Sequence, residues 1–244
     1  QDGRFSAGDT VVGGGGYDIL YLRGDYAIDF NAAGFAGALS GVESIALLTS
    51  ANTEFVGGGD GDFDYSIVWN DAMLAAGGTM TVNGGRLQGH ETFAFDAASE
   101  SDAHLRVFGG AGADTLATGA GNDQLYGGGG ADTLTGGAGA DLYRILAASD
   151  SRAGAYDTII GFAPGQDRID LQRIDAKAAT PDENDAFAFI GNAAFTAAGQ
   201  LRAVHVSGNL WQVEGDVDGD GIADLVLQVH VDGGQMPAAA DFLL

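Results

Sequence analysis

Residues Gly109–Arg144 read GGAGADTLA, TGAGNDQLY, GGGGADTLT and GGAGADLYR, one nine-residue pattern repeated four times without a gap. Each copy is G-G-x-G-x-D-x-U-x, with U a large apolar residue. The departure is Thr118, which stands in the first glycine position of the second copy. The acidic position is held by Asp114, Asp123, Asp132 and Asp141, and the apolar one by Leu116, Leu125, Leu134 and Tyr143. The turn glycines are Gly109, Gly110 and Gly112, then Gly119 and Gly121, then Gly127, Gly128 and Gly130, then Gly136, Gly137 and Gly139. A Gly-rich linker has no physical reason to keep Asp and Leu in phase, so the array is structural.

This pattern is identified as the nonapeptide repeat of RTX proteins. The resemblance implies an all-β fold, a parallel β-roll or β-solenoid in which each nonapeptide is half a turn of a flattened coil. The x-U-x end is a short strand with U pointing inward, and GGxGxD is a tight turn. Glycine suits that turn because the backbone visits positive φ and because carbonyls crowd there. Two nonapeptides per turn stack Asp114 near Asp132 and Asp123 near Asp141. Carboxylates one rung apart, ~4.8 Å, repel by about 3 kcal/mol at an effective dielectric of about 20. A hard divalent cation, Ca²⁺, turns that repulsion into attraction. Extracellular calcium modules have Kd of roughly 10⁻⁴–10⁻³ M. Ten- to hundredfold excess calcium then stabilises by about 1.4–2.7 kcal/mol per site, and several ions approach the ~5–15 kcal/mol of a whole domain. The roll is therefore expected to be unfolded without calcium.

Composition agrees. The 244 residues carry a formal net charge of −24 and a single lysine, Lys177. Nucleic acid and anionic membranes are poor partners for such a chain. There is no cysteine, so disulfides cannot staple it. No apolar run approaches the ~18 residues of a transmembrane helix, and no Sec-type signal or initiator Met is visible. The abrupt start suggests a processed chain or part of something longer.

Four segments follow from the pattern. Residues 1–30 read as degenerate repeats, with Gly13–Tyr21 fitting the nonapeptide and placing Asp18 in the acidic position. Residues 31–108 alternate without the consensus, as irregular solenoid rungs or strands packed beside the roll. The strand-like runs are Val42–Leu48, Tyr65–Trp69, Thr79–Val82, Thr92–Phe95 and Leu105–Phe108. Within this segment Gly57–Asp64 is an acidic turn, either a calcium site or a solvated loop. Residues 109–144 are the roll, and 145–244 a β-rich cap that closes an otherwise open edge. The cap includes a hairpin of Leu210–Val213 with Ala223–Val229. Its loop carries Asp216, Asp218, Asp220 and Asp224, beginning like an EF-hand. Position twelve is Leu227 where an EF-hand needs Glu, so the loop is either a different calcium site or an unliganded acidic turn.

The C-terminal third resembles the C-terminal region of serralysin-type metalloproteases. The matching strings are DTIIGFAPGQDRIDLQRIDA, FAFIGNAAF, GQLRAV, EGDVDGDGIADLVLQV and the terminal Ala240–Leu244. The resemblance implies calcium ligands at the turn glycines and aspartates of 109–141 and, more weakly, at Asp150 and Asp157. It also implies an uncleaved type I secretion signal at the C-terminus. The family's zinc signature is missing: His90-Glu91-Thr92-Phe93-Ala94 has Ala where a second His belongs. His104, His205 and His230 are scattered, no G-x-S-x-G elbow occurs, and Arg23-Gly24-Asp25 reads as accidental. The expectation is a non-catalytic calcium-binding protein, secreted unfolded by type I machinery and folded by external calcium at the cell surface. The first reading is a self-assembling structural protein: surface layer, filament, matrix or adhesin. Its rival is the C-terminal secretion and folding module of a larger RTX enzyme.

Overall fold

The D-x-U step recurs beyond the four consensus copies, and it sets the architecture. A computed structural model describes residues 5–6, 8–35, 38–50, 63–177 and 184–244. Successive strands alternate between two facing parallel sheets, as one flattened right-through coil. The eight-stranded sheet has the order Ile19–Arg23, Ser44–Leu48, Thr79–Asn83, His104–Gly110, Gln124–Gly128, Leu142–Arg144, Arg168–Asp170 and Phe242–Leu243. The facing sheet runs Tyr26–Asp29, Tyr65–Val68, Phe93–Asp96, Thr115–Ala120, Thr133–Ala138 and Asp157–Phe162, then continues with Leu225–Val231. Beyond it the chain turns antiparallel: Leu210–Asp216 pairs Leu225–Val231, Gln200–Ser207 pairs Leu210–Asp216, and Ala188–Phe189 forms the edge. Val11–Val12 pairs Leu39–Ser40 apart from both sheets.

The register explains why U must be apolar. On one sheet Leu20, Ile45, Val82, Val107, Leu125, Tyr143, Ile169 and Phe242 stand in one row. On the other the row is Ile28, Ile67, Phe95, Leu116, Leu134, Ile159 and Val229. The rows face each other and form one continuous core. Toward the N-terminal end the coil is filled by larger side chains, with Phe30, Phe35, Trp69 and Phe95 in edge and tilted contact. Those aromatics replace the small, regular interior of the consensus turns, which is why 31–108 lacks the nonapeptide yet keeps its rungs.

The strand-like runs expected in 31–108 are all strands of the coil and not a separate layer. Rungs pair across residues 30/31, 108/109 and 144/145, so the four expected segments share sheets and core. Among the described residues the helices are single 3₁₀ turns, and no helix is long and apolar enough to cross a membrane. The Gly57–Asp62 part of the expected acidic turn lies outside the described residues.

Candidate functional site: two files of stacked carboxylates

Each repeat turn carries its Asp to the corner where one sheet hands over to the other, and the corners stack into two files. In the first, Asp114 N–H donates to Asp132 Oδ1 (2.8 Å), Asp132 N–H to Asp157 Oδ1 (3.1 Å), and Asp157 N–H to Ser151 Oγ (2.7 Å). The file begins at Phe93, whose N–H donates to Asp114 Oδ1. In the second, Leu105 N–H donates to Asp123 Oδ1, Asp123 N–H to Asp141 Oδ1 (3.0 Å), and Asp141 N–H to Asp167 Oδ1 (3.0 Å). One turn further, Gly165 N–H donates to Asp241 Oδ1 (2.7 Å). The expected proximity of Asp114 to Asp132 and of Asp123 to Asp141 is thus present as a hydrogen-bonded stack.

The glycines are needed for two reasons. Gly109, Gly127 and Gly136 lie against the carboxylates of Asp114, Asp132 and Asp141, leaving no room for a Cβ. Gly110 O sits over Gly128, Gly112 O over Gly130, Gly119 O over Gly137 and Gly121 O over Gly139, again where a Cβ would be. Gly137 also has φ +96° and Gly139 φ +135°, a region costly to other residues. In the exceptional copy, the Thr118 hydroxyl donates to Gly136 O (2.9 Å).

The four consensus carboxylates are at most 2% exposed. One oxygen of each is committed to a backbone N–H. The other, Oδ2, is buried without a hydrogen-bond partner among the described residues in Asp123, Asp132, Asp141 and Asp157. Asp114 differs, since Gly110 N–H donates to its Oδ2 (2.6 Å). Desolvation pushes Asp114 up to about 6, Asp132 and Asp141 to about 7, and Asp157 to about 8. Neighbouring carboxylates add to this: Asp114 acts on Asp132, Asp167 on Asp141, and Asp132 on Asp157. Burial also raises Asp123, Asp150 and Asp167. Buried, unpaired acceptors on anionic groups are costly. Such a donor set, hard oxygens beside crowded turn carbonyls, fits Ca²⁺ and not a soft metal.

The remaining expected ligands divide. Asp150 joins the first file: Leu146 and Ala147 N–H donate to its Oδ2, and its charge acts on Asp132 and Asp157. Asp18 keeps the consensus arrangement. Its Cβ packs on Gly13, its Oδ2 is buried without a partner among the described residues, and its N–H donates to Glu43 Oε2 (2.8 Å). The hairpin loop is different in kind. Asp216 accepts from Gly219 and Gly221 N–H, Asp224 from Val217 and Asp218 N–H, Asp218 from Asp220 N–H, and Asp220 from Ile222 N–H. Asp216, Asp218 and Asp224 nevertheless bring ligand atoms within 4.8 Å of one another.

Sequence reasoning passed over Asp167, Asp241 and three glutamates. Asp167 carries the signal D-x-U in Asp167-Arg168-Ile169, separated from the array by an insertion. Asp241, expected only as part of an export signal, holds the final rung, with Ala238 N–H on its other oxygen (2.7 Å). Glu43, Glu91 and Glu100 take corner positions where no consensus exists. Glu91 accepts from Ser50 and Gln88 N–H, and Glu100 from Ser101, Asp102 and Ala103 N–H. Glu91 is therefore a buried turn residue in place of a zinc-site base. His104 Nδ1 likewise accepts from Asn122 N–H, and His205 contacts Gly208 O.

Against solved structures, the chain is similar to the AlgE6R3 subunit of the Azotobacter vinelandii mannuronan C5-epimerase, determined in solution. Sequence identity is 25% and the TM-score 0.44, over 79% of this chain and 83% of that one. No curated protein sequence matches. The family model described as peptidase M10 serralysin C terminal matches residues 5–244, nearly the whole length over which the two files of carboxylates and their rungs extend. The chain belongs to the serralysin C-terminal family.

Proposed function

We propose that this chain is a calcium-folded β-roll module of a secreted protein, exported unfolded through a type I system and locked into shape by external Ca²⁺. The observation that carries the reading is the set of buried, unpartnered Oδ2 atoms in Asp123, Asp132, Asp141 and Asp157. The residues that would hold calcium are the two files, Asp114, Asp132, Asp157 and Asp150 on one side and Asp123, Asp141 and Asp167 on the other, with the carbonyls of the turn glycines. Asp18 is a separate site of the same type. Calcium supplies charge neutralisation there and satisfies oxygens that the protein leaves bare. Asp216, Asp218 and Asp224 are a further site of lower affinity, because backbone N–H groups already take their oxygens.

In this reading the chain contributes binding and folding, and the chemistry of the whole protein resides elsewhere. Family membership weights the module over the self-assembling structural protein. The second reading keeps one observation in its favour: the edge strand Ile19–Arg23 leaves Ile19 and Tyr21 exposed, a surface on which another copy could add. Circular dichroism of the purified chain during calcium and magnesium titrations tests the proposal. Cooperative gain of β-structure with calcium alone, at sub-millimolar to millimolar concentration, is expected. A spectrum and melting temperature indifferent to calcium would sink it. Light scattering in the same titration separates a monomeric module from a polymer.

A further inference from the structure

Half of the cations of this acidic chain lie on one surface. Of its ten Lys and Arg residues, Arg86, Arg106, Arg144, Arg168 and Arg173 lie on or beside the outer face of the eight-stranded sheet. Two outward rows cross that sheet perpendicular to its strands. One is Ile19, Ser44, Thr81, Arg106, Gln124, Leu142 and Arg168. The other is Tyr21, Ala46, Asn83, Phe108 and Tyr126, continued by Arg144 over Asp170. The outward rows of the facing sheet carry no Lys or Arg: one is Ala27, Ser66, Ala94, Thr115, Thr133 and Thr158, the other Asp29, Val68, Asp96, Ala117, Thr135, Ile160 and His230.

Two grooves open on this face. A groove of about 720 Å³ over the first three strands is lined by Tyr17, Tyr21, Ser44, Ala46, Asn83 and Arg86. Tyr17 and Tyr21 are 66% and 55% exposed. Farther along, Phe108, Tyr126, Arg144, Leu146 and Arg173 line a second groove of about 210 Å³, with the Phe108 and Tyr126 rings edge-to-face. Arg86, Arg168 and Arg173 make no ion pair among the described residues. Two carboxylates beside this face are engaged: Asp170 pairs with Arg144 (3.1 Å), and Asp150 meets Tyr126 Oη.

We propose that the outer face of the eight-stranded sheet binds a linear acidic polysaccharide lying across the strands, along the solenoid axis. From Ile19–Arg23 to Arg168–Asp170 the face spans about 29 Å at ~4.8 Å per strand, room for several sugar units in line. Arg guanidiniums take carboxylate or sulfate groups, exposed tyrosines take the apolar faces of sugar rings, and Asn83, Thr81 and Gln124 face hydroxyls. The net charge of −24 discriminates among polyanions. Duplex DNA, with one charge per ~1.7 Å, is repelled by the excess of 34 Asp and Glu over ten Lys and Arg across the whole chain. A polysaccharide with a charge every one or two sugars meets the spaced arginines at much lower repulsion.

The test uses the full chain in millimolar calcium, with hyaluronate oligosaccharides as probe, dextran as neutral control and duplex DNA as rival. Hyaluronate binding that weakens with added salt is expected, with none to dextran or DNA. An Arg86→Glu/Arg173→Glu variant should lose roughly tenfold or more in affinity. Thr115→Glu/Thr133→Glu puts two charges on the opposite face and should stay within about twofold, while Tyr21→Ala loses several-fold. Calcium-induced circular dichroism shows that each variant is folded. Absence of hyaluronate binding, equal binding of dextran or DNA, or equal loss in the opposite-face control would each overturn the proposal.

Discussion

Removing calcium from the protein and then raising the pH should unfold it, the reverse of ordinary acid denaturation. The buried carboxyls of Asp114, Asp132, Asp141 and Asp157 hold protons up to about pH 6, 7, 7 and 8, against about 3.9 for an unfolded Asp. Between those values the folded state binds more protons than the unfolded one, so stability falls as pH rises. The loss begins near pH 4 and is complete once pH passes the highest native value. At about 1.4 kcal/mol per unit per group, the four withdraw roughly 10 kcal/mol between pH 5 and pH 8. That is comparable to the whole ~5–15 kcal/mol of a typical domain. With calcium the sign reverses, because protons compete for the same oxygens. The assay is thermal melting by circular dichroism in calcium-free buffer, prepared by metal-scavenging resin because chelators lose strength in acid, with a parallel series in millimolar calcium. Calcium-free melting should fall steeply from pH 5 to pH 8 while the calcium series holds or rises. A calcium-free melting temperature that is flat or increasing over that range would refute the burial argument.

Three further outcomes follow from the same geometry. Asp132→Asn keeps an acceptor for Asp114 N–H but removes the buried charge; at pH 8 it should stabilise the calcium-free form by about 2–4 kcal/mol and lower calcium stoichiometry, read by melting and by equilibrium dialysis. Gly137→Ala must both hold φ +96° and displace the Gly119 carbonyl, and should cost more than 2 kcal/mol, whereas Gly154→Ala, at φ +87° with open space around it, costs only about 1–2 kcal/mol; equal denaturation midpoints for the two would count against the carbonyl stacking. Truncation after Ala240 removes a rung that buries Phe242 against Phe189 at 5.1 Å and ends the second file; the shortened chain should fold only at higher calcium and melt several degrees lower, and an unchanged calcium midpoint would show the rung to be dispensable.

The consensus turns were legible because their chemistry is strict. A Cβ at Gly127 or Gly136 collides with a carboxylate, and Leu116, Leu125 and Leu134 face one interior, so the sequence has little freedom there. Residues 31–108 obey the same coil with different side chains. Trp69, Phe30 and Phe95 fill the interior, Glu43, Glu91 and Glu100 hold the corners, and nothing fixes a nine-residue period. Their strands could be read from alternation, but not whether they continued the coil or packed beside it. Asp167 and Asp241 were hidden for another reason: the insertions before them shift their phase, and only the register of Ile169 with Tyr143 and Phe242 brings them under Asp141. The outer face of the eight-stranded sheet was illegible altogether. Arg86, Arg106, Arg144 and Arg168 are twenty or more residues apart in sequence and share a face only through parallel pairing.

The files of carboxylates have a direction. In each file the N–H of an earlier aspartate needs the carboxylate of a later one: Asp114 leans on Asp132 and Asp132 on Asp157, whose own N–H is closed locally by the Ser151 hydroxyl, while Asp123 leans on Asp141 and Asp141 on Asp167. The repeat segment thus cannot satisfy its own turns until the segment after residue 150 has arrived. Leu225–Val231 completes the sheet beside Asp157–Phe162, and Phe242–Leu243 completes the one beside Arg168–Asp170. A nascent chain, made from its N-terminus, holds its roll open to the last residues, and paired buried anions add to that reluctance wherever calcium is scarce. Structure is therefore expected to start at the C-terminal rungs and to propagate backward through the nonapeptides, each ordered turn presenting the acceptor that the preceding one lacks.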